Sequence, residues 1–157
     1  AVLEDKGPVA VRYPRGGEGN YQTDKAQSLL KEGKDCTVIT YGTTINAVLE
    51  AAEGCEKEGI SVEVLKLATI APLDFAAVEA SCRKTGRVLV VEETSNHGCV
   101  ADELFARLLQ SGVTGHFCKQ NLGDGYICHG AMQDLYALAG LNAQALRDKI
   151  REVCHEA

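Results

Sequence analysis

The protein has 157 residues, a length that suits one domain with a single hydrophobic core. Apolar residues make up 45% of the sequence and charged residues 24%, proportions that exclude a disordered, fibrous or membrane-embedded chain. The net charge of −6 argues against nucleic acid or an anionic membrane surface as the main partner. Single arginines can still attract a phosphate group at short range.

The seven cysteines show neither the close pairs of a zinc site nor the even count of a disulfide scaffold. We interpret them as reduced thiols of a cytoplasmic protein that mostly fill the core. No apolar run approaches the roughly 20 residues of a membrane helix. No targeting segment is recognisable, and the sequence reads as if cut from a longer chain. The cysteines are Cys36, Cys55, Cys82, Cys99, Cys118, Cys128 and Cys154.

The first strand candidate covers residues 8–13. Val9, Val11 and Tyr13 alternate there with Ala10 and Arg12, and alternation of this kind is typical of a strand. Pro14 follows and ends the pattern.

A polar, glycine-rich stretch then separates this lone strand from a regular pattern of strands and helices. Such a change in composition indicates a domain boundary. We therefore expect residues 1–16 to be the tail of a preceding domain, residues 17–35 to be a linker, and residues 36–157 to be a domain of their own.

Strand candidates alternate with amphipathic helices from residue 36 onward. Strand followed by helix in this order predicts a mostly parallel sheet that is covered on both faces. Thr43 or Thr44, Asp74 and Asn142 are expected to cap helices by accepting backbone N–H bonds. The predicted strands are CTVITYG (36–42), SVEVLKL (61–67), RVLVVEE (87–93) and, more weakly, VTGHFCKQ (113–120).

Arg15 is the main candidate for binding a ligand. Pro14 stiffens the chain before it, whereas Gly16 and Gly17 after it allow close approach by a ligand. Guanidinium groups match the geometry of phosphate, and strand ends are where α/β proteins place ligands. The alternative is a solvated loop arginine, and we interpret Arg12 as structural.

The remaining polar candidates carry weaker signals. Glu92 and Glu93 end a predicted central strand but point to opposite faces, so we expect one to cap or pair locally and the other to be solvated. His97 and His129 lie in glycine-containing loops and could face a ligand or simply be exposed. The sequence has no serine-hydrolase elbow, P-loop or dinucleotide fingerprint, and it predicts no catalytic, cofactor-binding or metal-binding residue.

An ordered set of segments gives the sequence a family resemblance. It resembles the last third of the 1-deoxy-D-xylulose-5-phosphate synthases, which are transketolase-type enzymes. The Tyr-Pro-Arg-Gly run is fairly specific, and the other segments are individually weak but occur in the right order. The segments are GPVAVRYPRGG, VITYGT, APLD, LVVEE, CHG before a helix, and LNAQAL.

The resemblance implies a three-layer αβα sandwich with a five-stranded, mostly parallel (mixed) sheet. It also implies a three-domain homodimer that condenses pyruvate with glyceraldehyde 3-phosphate and releases carbon dioxide, on the route to isoprenoid, thiamine and pyridoxal precursors. Thiamine diphosphate and magnesium would be bound by the first two domains. By similarity, Arg15 would bind the phosphate of glyceraldehyde 3-phosphate, and this chain alone would be inactive.

The sequence departs from the family at residues 94–103, where many members have a longer glycine-rich stretch, so this loop is given no role. Two alternatives stay open. One is the C-terminal domain of another transketolase-type enzyme, either a transketolase or a 2-oxoacid dehydrogenase β subunit. The other is a non-catalytic α/β interaction module in which Arg15 binds no ligand.

Overall fold

A computed structural model describes residues 7–11, 19–21 and 28–155 of the protein. Strands and helices alternate along the described chain, as the sequence predicts. The elements are β1 (Leu29–Lys31), β2 (Cys36–Thr40), α1 (Thr44–Lys57), β3 (Val62–Lys66), α2 (Phe75–Thr85), β4 (Arg87–Val91), α3 (Val100–Gln110), β5 (His116–Gln120), α4 (Met132–Leu138) and α5 (Ala143–His155).

The described strands form one mixed sheet in the order β1-β3-β2-β4-β5. β2 pairs in parallel with both β3 and β4, and β4 pairs in parallel with β5. β1 is antiparallel to β3 and forms one edge. The predicted α/β class with a five-stranded, mostly parallel sheet is confirmed.

Helices cover both faces of the sheet, because the strands at its centre are apolar on both sides. On one face, α1 and α5 pack on a core that includes Val38, Val64 and Leu89. On the other face, α2 and α3 pack on Ile39 and Val90. Every residue of β2 and β3 is buried, as expected for strands with a helical layer on each side.

Two of the predicted helix caps are confirmed and one is wrong. Asp74 accepts from the amide of Ala77 at 3.3 Å, and Asn142 accepts from Ala145 at 2.8 Å. Thr43 precedes α1, but its hydroxyl makes no cap hydrogen bond and instead donates to Glu93. The Thr44 hydroxyl donates to the carbonyl of Tyr41, so neither threonine side chain caps the helix.

The N-terminal part differs from the sequence prediction. Residues 8–11 form no strand, because none of the strands of the described chain pairs with them, and Val11 is exposed. β1 instead falls inside the predicted linker. Gly33 lies just after β1, and its backbone passes close to β3. A Cβ at this position would lie 2.1 Å from the amide nitrogen of Glu63, so the close approach requires glycine.

Candidate functional site

The carboxyl ends of the parallel strands form the edge of the sheet at which α/β proteins bind ligands. The chain passes from β2 to β3 on one side and returns to β4 on the other, so the topological switch point lies between β2 and β4. Tyr41 follows β2, and Glu92 and Glu93 follow β4. We therefore take this edge as the candidate functional site.

Glu92 is completely buried and binds the first turn of α3. Its two carboxylate oxygens accept the amides of Val100 and Ala101 at 3.0 and 3.1 Å. The hydroxyl of Tyr41 donates to the same carboxylate at 2.8 Å. Burial, and then the hydrogen bond to Glu92, raises the pKa of Tyr41 above its usual value. Glu92 is thus the locally capping carboxylate that the sequence predicts for one of the two glutamates.

Glu93 is exposed at the same edge and joins two elements. One of its oxygens accepts from the hydroxyl of Thr43 at 3.1 Å and from that of Tyr136 in α4 at 2.9 Å. Burial, and to a lesser degree Glu93, raises the pKa of Tyr136. The carboxylate lies beside the N-terminus of α1, where a helix favours negative charge.

The segment 19–21 runs over this edge and is bound to α1. The amide of Tyr21 donates to Oδ1 of Asn46 at 2.8 Å, and Nδ2 of Asn46 donates to the carbonyl of Thr43 at 3.3 Å. Gly19 has a φ of +69°, and a Cβ at this position would lie 2.6 Å from Nδ2 of Asn46. The contact between the segment and the helix is therefore close.

Tyr21 also contacts the end of β3. The ammonium of Lys66 donates to the Tyr21 hydroxyl at 3.2 Å and lies 5.5 Å from the centre of its ring. Lys66 is nevertheless only 8% exposed. We call Tyr21, Asn46 and Lys66 together the Tyr21 anchor.

A shallow cleft of about 220 Å³ lies beside Lys66. Ser28, Thr69 and Asp74 supply polar groups to its wall, and Leu67 and Val78 supply apolar ones. Because Asp74 places a carboxylate at the N-terminus of α2, this cleft has no clear preference for an anion.

The loops that follow β4 and β5 are joined by Asp124. Asn96 donates to Asp124 at 3.1 Å, and Nε2 of His97 lies 3.5 Å from it. His97 is 86% exposed and His129 is exposed, so neither belongs to the core. The stretch 94–103 is not one loop, because α3 already begins at Val100.

The predicted phosphate ligand, Arg15, lies outside the described residues, as does Arg12. Sequence reasoning missed Tyr41, Asn46 and Lys66. Tyr41 and Lys66 carried a detectable signal, since each stands at the carboxyl end of a predicted parallel strand. Asn46 carried none, because a polar residue in the first turn of an amphipathic helix is ordinary.

Within the described residues, no group of three histidine, cysteine, aspartate or glutamate side chains is arranged to hold a metal ion. The described helices include none that is long and apolar enough to cross a membrane. All seven cysteines are thiols, and four of them are buried.

Fold and edge together define an α/β domain in which helices cover both faces of a five-stranded mixed sheet. The chain belongs to the transketolase C-terminal domain family, whose model matches residues 24–146. It is similar along nearly its whole length to 1-deoxy-D-xylulose-5-phosphate synthases. The one from Chlorobium phaeovibrioides is 34% identical over 96% of this chain, and the first synthase of Geobacter metallireducens is 31% identical over 96%. The chain spans about a quarter of the length of these relatives.

Shorter relatives are also similar to the chain. A transketolase family protein of Sinorhizobium fredii, y4mN, is 33% identical over 97% of this chain, which spans 47% of that protein. Among solved structures, a split-gene transketolase in an inactive β4 tetramer has a TM-score of 0.72 and 26% identity, over 90% of this chain and 46% of that one. The transketolase of Campylobacter jejuni shares the fold, with a TM-score of 0.58 and 20% identity over 79% of this chain and 18% of that one.

Proposed function

We propose that this chain is the C-terminal domain of an enzyme that condenses pyruvate with glyceraldehyde 3-phosphate and releases carbon dioxide. The observation that carries the proposal is similarity along nearly the whole chain to proteins named 1-deoxy-D-xylulose-5-phosphate synthase. Because the chain spans about a quarter of their length, the remaining domains would supply the chemistry. The thiols in the chain support a cytoplasmic setting.

We further propose that thiamine diphosphate and magnesium bind to those other domains, and that the whole protein is a homodimer. When bound, the thiamine supplies the electron sink for decarboxylation. The residues described in this chain do not fit a diphosphate–magnesium site. The carboxylates of Glu92 and Glu93, which stand at the edge of the sheet, accept hydrogen bonds from the protein's own amides and hydroxyls.

Arg15 is our proposed ligand for the phosphate of glyceraldehyde 3-phosphate. Support comes from its setting after Pro14 and before two glycines, and from the similarity to the synthases. A charge-assisted hydrogen bond to phosphate typically contributes about 1.5–3 kcal/mol.

The test compares the full-length enzyme with this chain alone, each given thiamine diphosphate and magnesium. We expect turnover of both substrates by the full-length enzyme and no pyruvate decarboxylation by the isolated chain. In the full-length enzyme, Arg15→Ala should lower kcat/KM for glyceraldehyde 3-phosphate roughly ten- to hundredfold while the KM for pyruvate stays within about twofold. Equal losses for both substrates would contradict the role of Arg15.

A second candidate is the C-terminal part of one of the two chains of a split transketolase. It is favoured by the two relatives of which this chain covers nearly half, y4mN and the split-gene transketolase. In that case the gene would encode a protein of about twice this length, and activity would require a second, separate chain. Purifying the product of the complete gene and assaying it without any partner distinguishes the two candidates.

A further inference from the structure

Three cysteine side chains lie close together at the amino end of the parallel strands, the end of the sheet opposite Glu92. Cys36 is the first residue of β2, Cys55 lies in the last turn of α1, and Cys154 lies in the last turn of α5. α5 packs directly on β2, and Cys154 packs against the core cluster that contains Cys36 and Cys55. The fold therefore brings together thiols from distant parts of the sequence.

Two of these thiols are in direct contact. The side chains of Cys36 and Cys154 are hydrogen-bonded to each other. This bond, and then burial, raises the pKa of Cys36 far above its usual value, so Cys36 keeps its proton and is the donor. The same bond lowers the pKa of Cys154 more than burial raises it, and the charge of Arg87 lowers it further against a smaller effect of Asp35. Cys154 is therefore the member of the pair that ionises first.

Exposure separates the two thiols in the same way. Cys36 is completely buried, whereas Cys154 is half-buried and partly accessible from solvent. Cys55 is also buried, and burial raises its pKa to about 11. A partly accessible thiolate beside a buried thiol is the arrangement found in redox-sensitive cysteine pairs.

We propose that Cys154 is a site of oxidation by hydrogen peroxide and that Cys36 is its resolving partner, so that the pair closes into a disulfide. The Cys154 thiolate attacks one peroxide oxygen and the O–O bond breaks. A sulfenic acid forms on Cys154, and the departing hydroxide takes up a proton to become water. The sulfur of Cys36 then attacks the sulfur of Cys154, and the sulfenic hydroxyl leaves as water with the Cys36 proton. In total, two thiols lose two electrons and one peroxide is reduced to two waters.

The disulfide would link the last turn of α5 to the first residue of β2. Backbone amides at the end of a helix exchange with solvent when the last turn frays. In the oxidised protein, the amides of this turn should therefore exchange with deuterium about tenfold more slowly than in the reduced protein.

The experiment treats the reduced full-length protein with a small excess of hydrogen peroxide at neutral pH, blocks the remaining thiols and identifies the peptides by mass spectrometry. We expect a pair of peptides joined through Cys36 and Cys154 that is lost after reduction with dithiothreitol. Cys154→Ser should abolish the link and leave Cys36 reduced. Cys36→Ser should leave Cys154 as a sulfenic acid that dimedone traps. Because the link is detected in the wild-type protein, the test does not depend on the folding of either variant.

Cys55→Ser and Cys128→Ser are the matched controls. Cys55 is the third thiol of the cluster, and Cys128 is exposed. The link between Cys36 and Cys154 should form at an unchanged rate in both variants, because neither residue takes part in the reaction.

Three results would overturn the proposal. A link between Cys55 and Cys154 in place of the expected one would assign the resolving role to the wrong residue. Oxidation of Cys36 in the Cys154→Ser variant would show that Cys154 is not the residue that peroxide attacks. Oxidation of Cys128 while Cys36 and Cys154 stay reduced would show that their contact is core packing alone.

Discussion

The hydroxyl of Tyr41 donates a 2.8 Å hydrogen bond to the carboxylate of Glu92. The two residues follow β2 and β4, so this bond crosses the switch point of the sheet. Many α/β proteins bind a ligand in the crevice at this point. Here a carboxylate of the protein lies there instead, held by a phenol and by two amides of α3.

Glu92→Ala should strongly destabilise the domain. The substitution leaves a half-buried hydroxyl and two amides without their acceptor and removes a negative charge from the N-terminus of α3. We expect a loss of about 3 kcal/mol in the free energy of unfolding, measured by urea denaturation. Glu93→Ala is the control, and because Glu93 is exposed it should cost less than about 1 kcal/mol. Equal losses for the two variants would refute the capping role of Glu92.

Tyr41 should make the stability depend on pH in the alkaline range. Burial and Glu92 raise the pKa of Tyr41 in the folded state, so the folded protein holds this proton more tightly than the unfolded chain. The resulting stabilisation is fully present below the unfolded pKa of about 10 and is lost as the pH rises above it. Urea titrations between about pH 8 and 11.5 should therefore show a steeper decline for the wild type than for Tyr41→Phe. Parallel curves would show that Tyr41 titrates normally.

Lys84→Met should destabilise the domain through Glu63. Glu63 is completely buried within β3, and Lys84 from α2 is hydrogen-bonded to its carboxylate. Removing one partner of a buried pair leaves an uncompensated charge, although water can reach this pair because Lys84 is 43% exposed. We therefore expect a loss of about 2 kcal/mol, below the usual range for fully buried pairs.

The double variant Glu63→Gln/Lys84→Met provides the check on that explanation. It removes the charge on both sides, so it should be more stable than Lys84→Met alone when both are measured by thermal or urea unfolding. A double variant less stable than the single one would show that the contribution of Lys84 is packing rather than charge.

The thiols should differ widely in reactivity. Cys128 is exposed, whereas Cys55 and Cys82 are buried, and burial raises the pKa of Cys55 to about 11 and that of Cys82 to about 12. A thiol reagent at pH 8 should label Cys128 first, and Cys82 should react only after denaturant is added. Mass spectrometry of the labelled peptides gives the order, and Cys128→Ser should remove the fast phase. Early labelling of Cys82 would contradict its burial.

The sequence predicts much of this fold because its central strands are continuous apolar runs. β2 and β4 were predictable for that reason, and Asp74 and Asn142 carry recognisable capping chemistry. β1 was not predictable, since three residues within a polar stretch are too few to show an alternation of apolar and polar residues. Glu63 and Lys66 are charged residues of β3, and no sequence pattern shows that they are buried, as they are because helices cover both faces of the sheet.

The candidate site was less accessible to sequence reasoning than the fold. The sequence predicted that one of Glu92 and Glu93 would cap or pair locally, but not which of the two. The contact of Glu92 with Tyr41 joins residues 51 positions apart and depends on which strands become neighbours, which no local pattern records. The same holds for the contact between Tyr21 and Lys66. The role of Arg15 stays a prediction.

The short strand β1 determines where this protein can be truncated at its N-terminal end. It satisfies the outer backbone groups of β3, and the amide of Lys66 also donates to the carbonyl of Ser28. A fragment that starts at Cys36, where the sequence alone predicts that the domain begins, would make β3 an edge strand with unpaired backbone donors and acceptors. Exposed edge strands pair with strands of other molecules. The truncated protein should therefore aggregate, whereas one that begins at Ser28 should not.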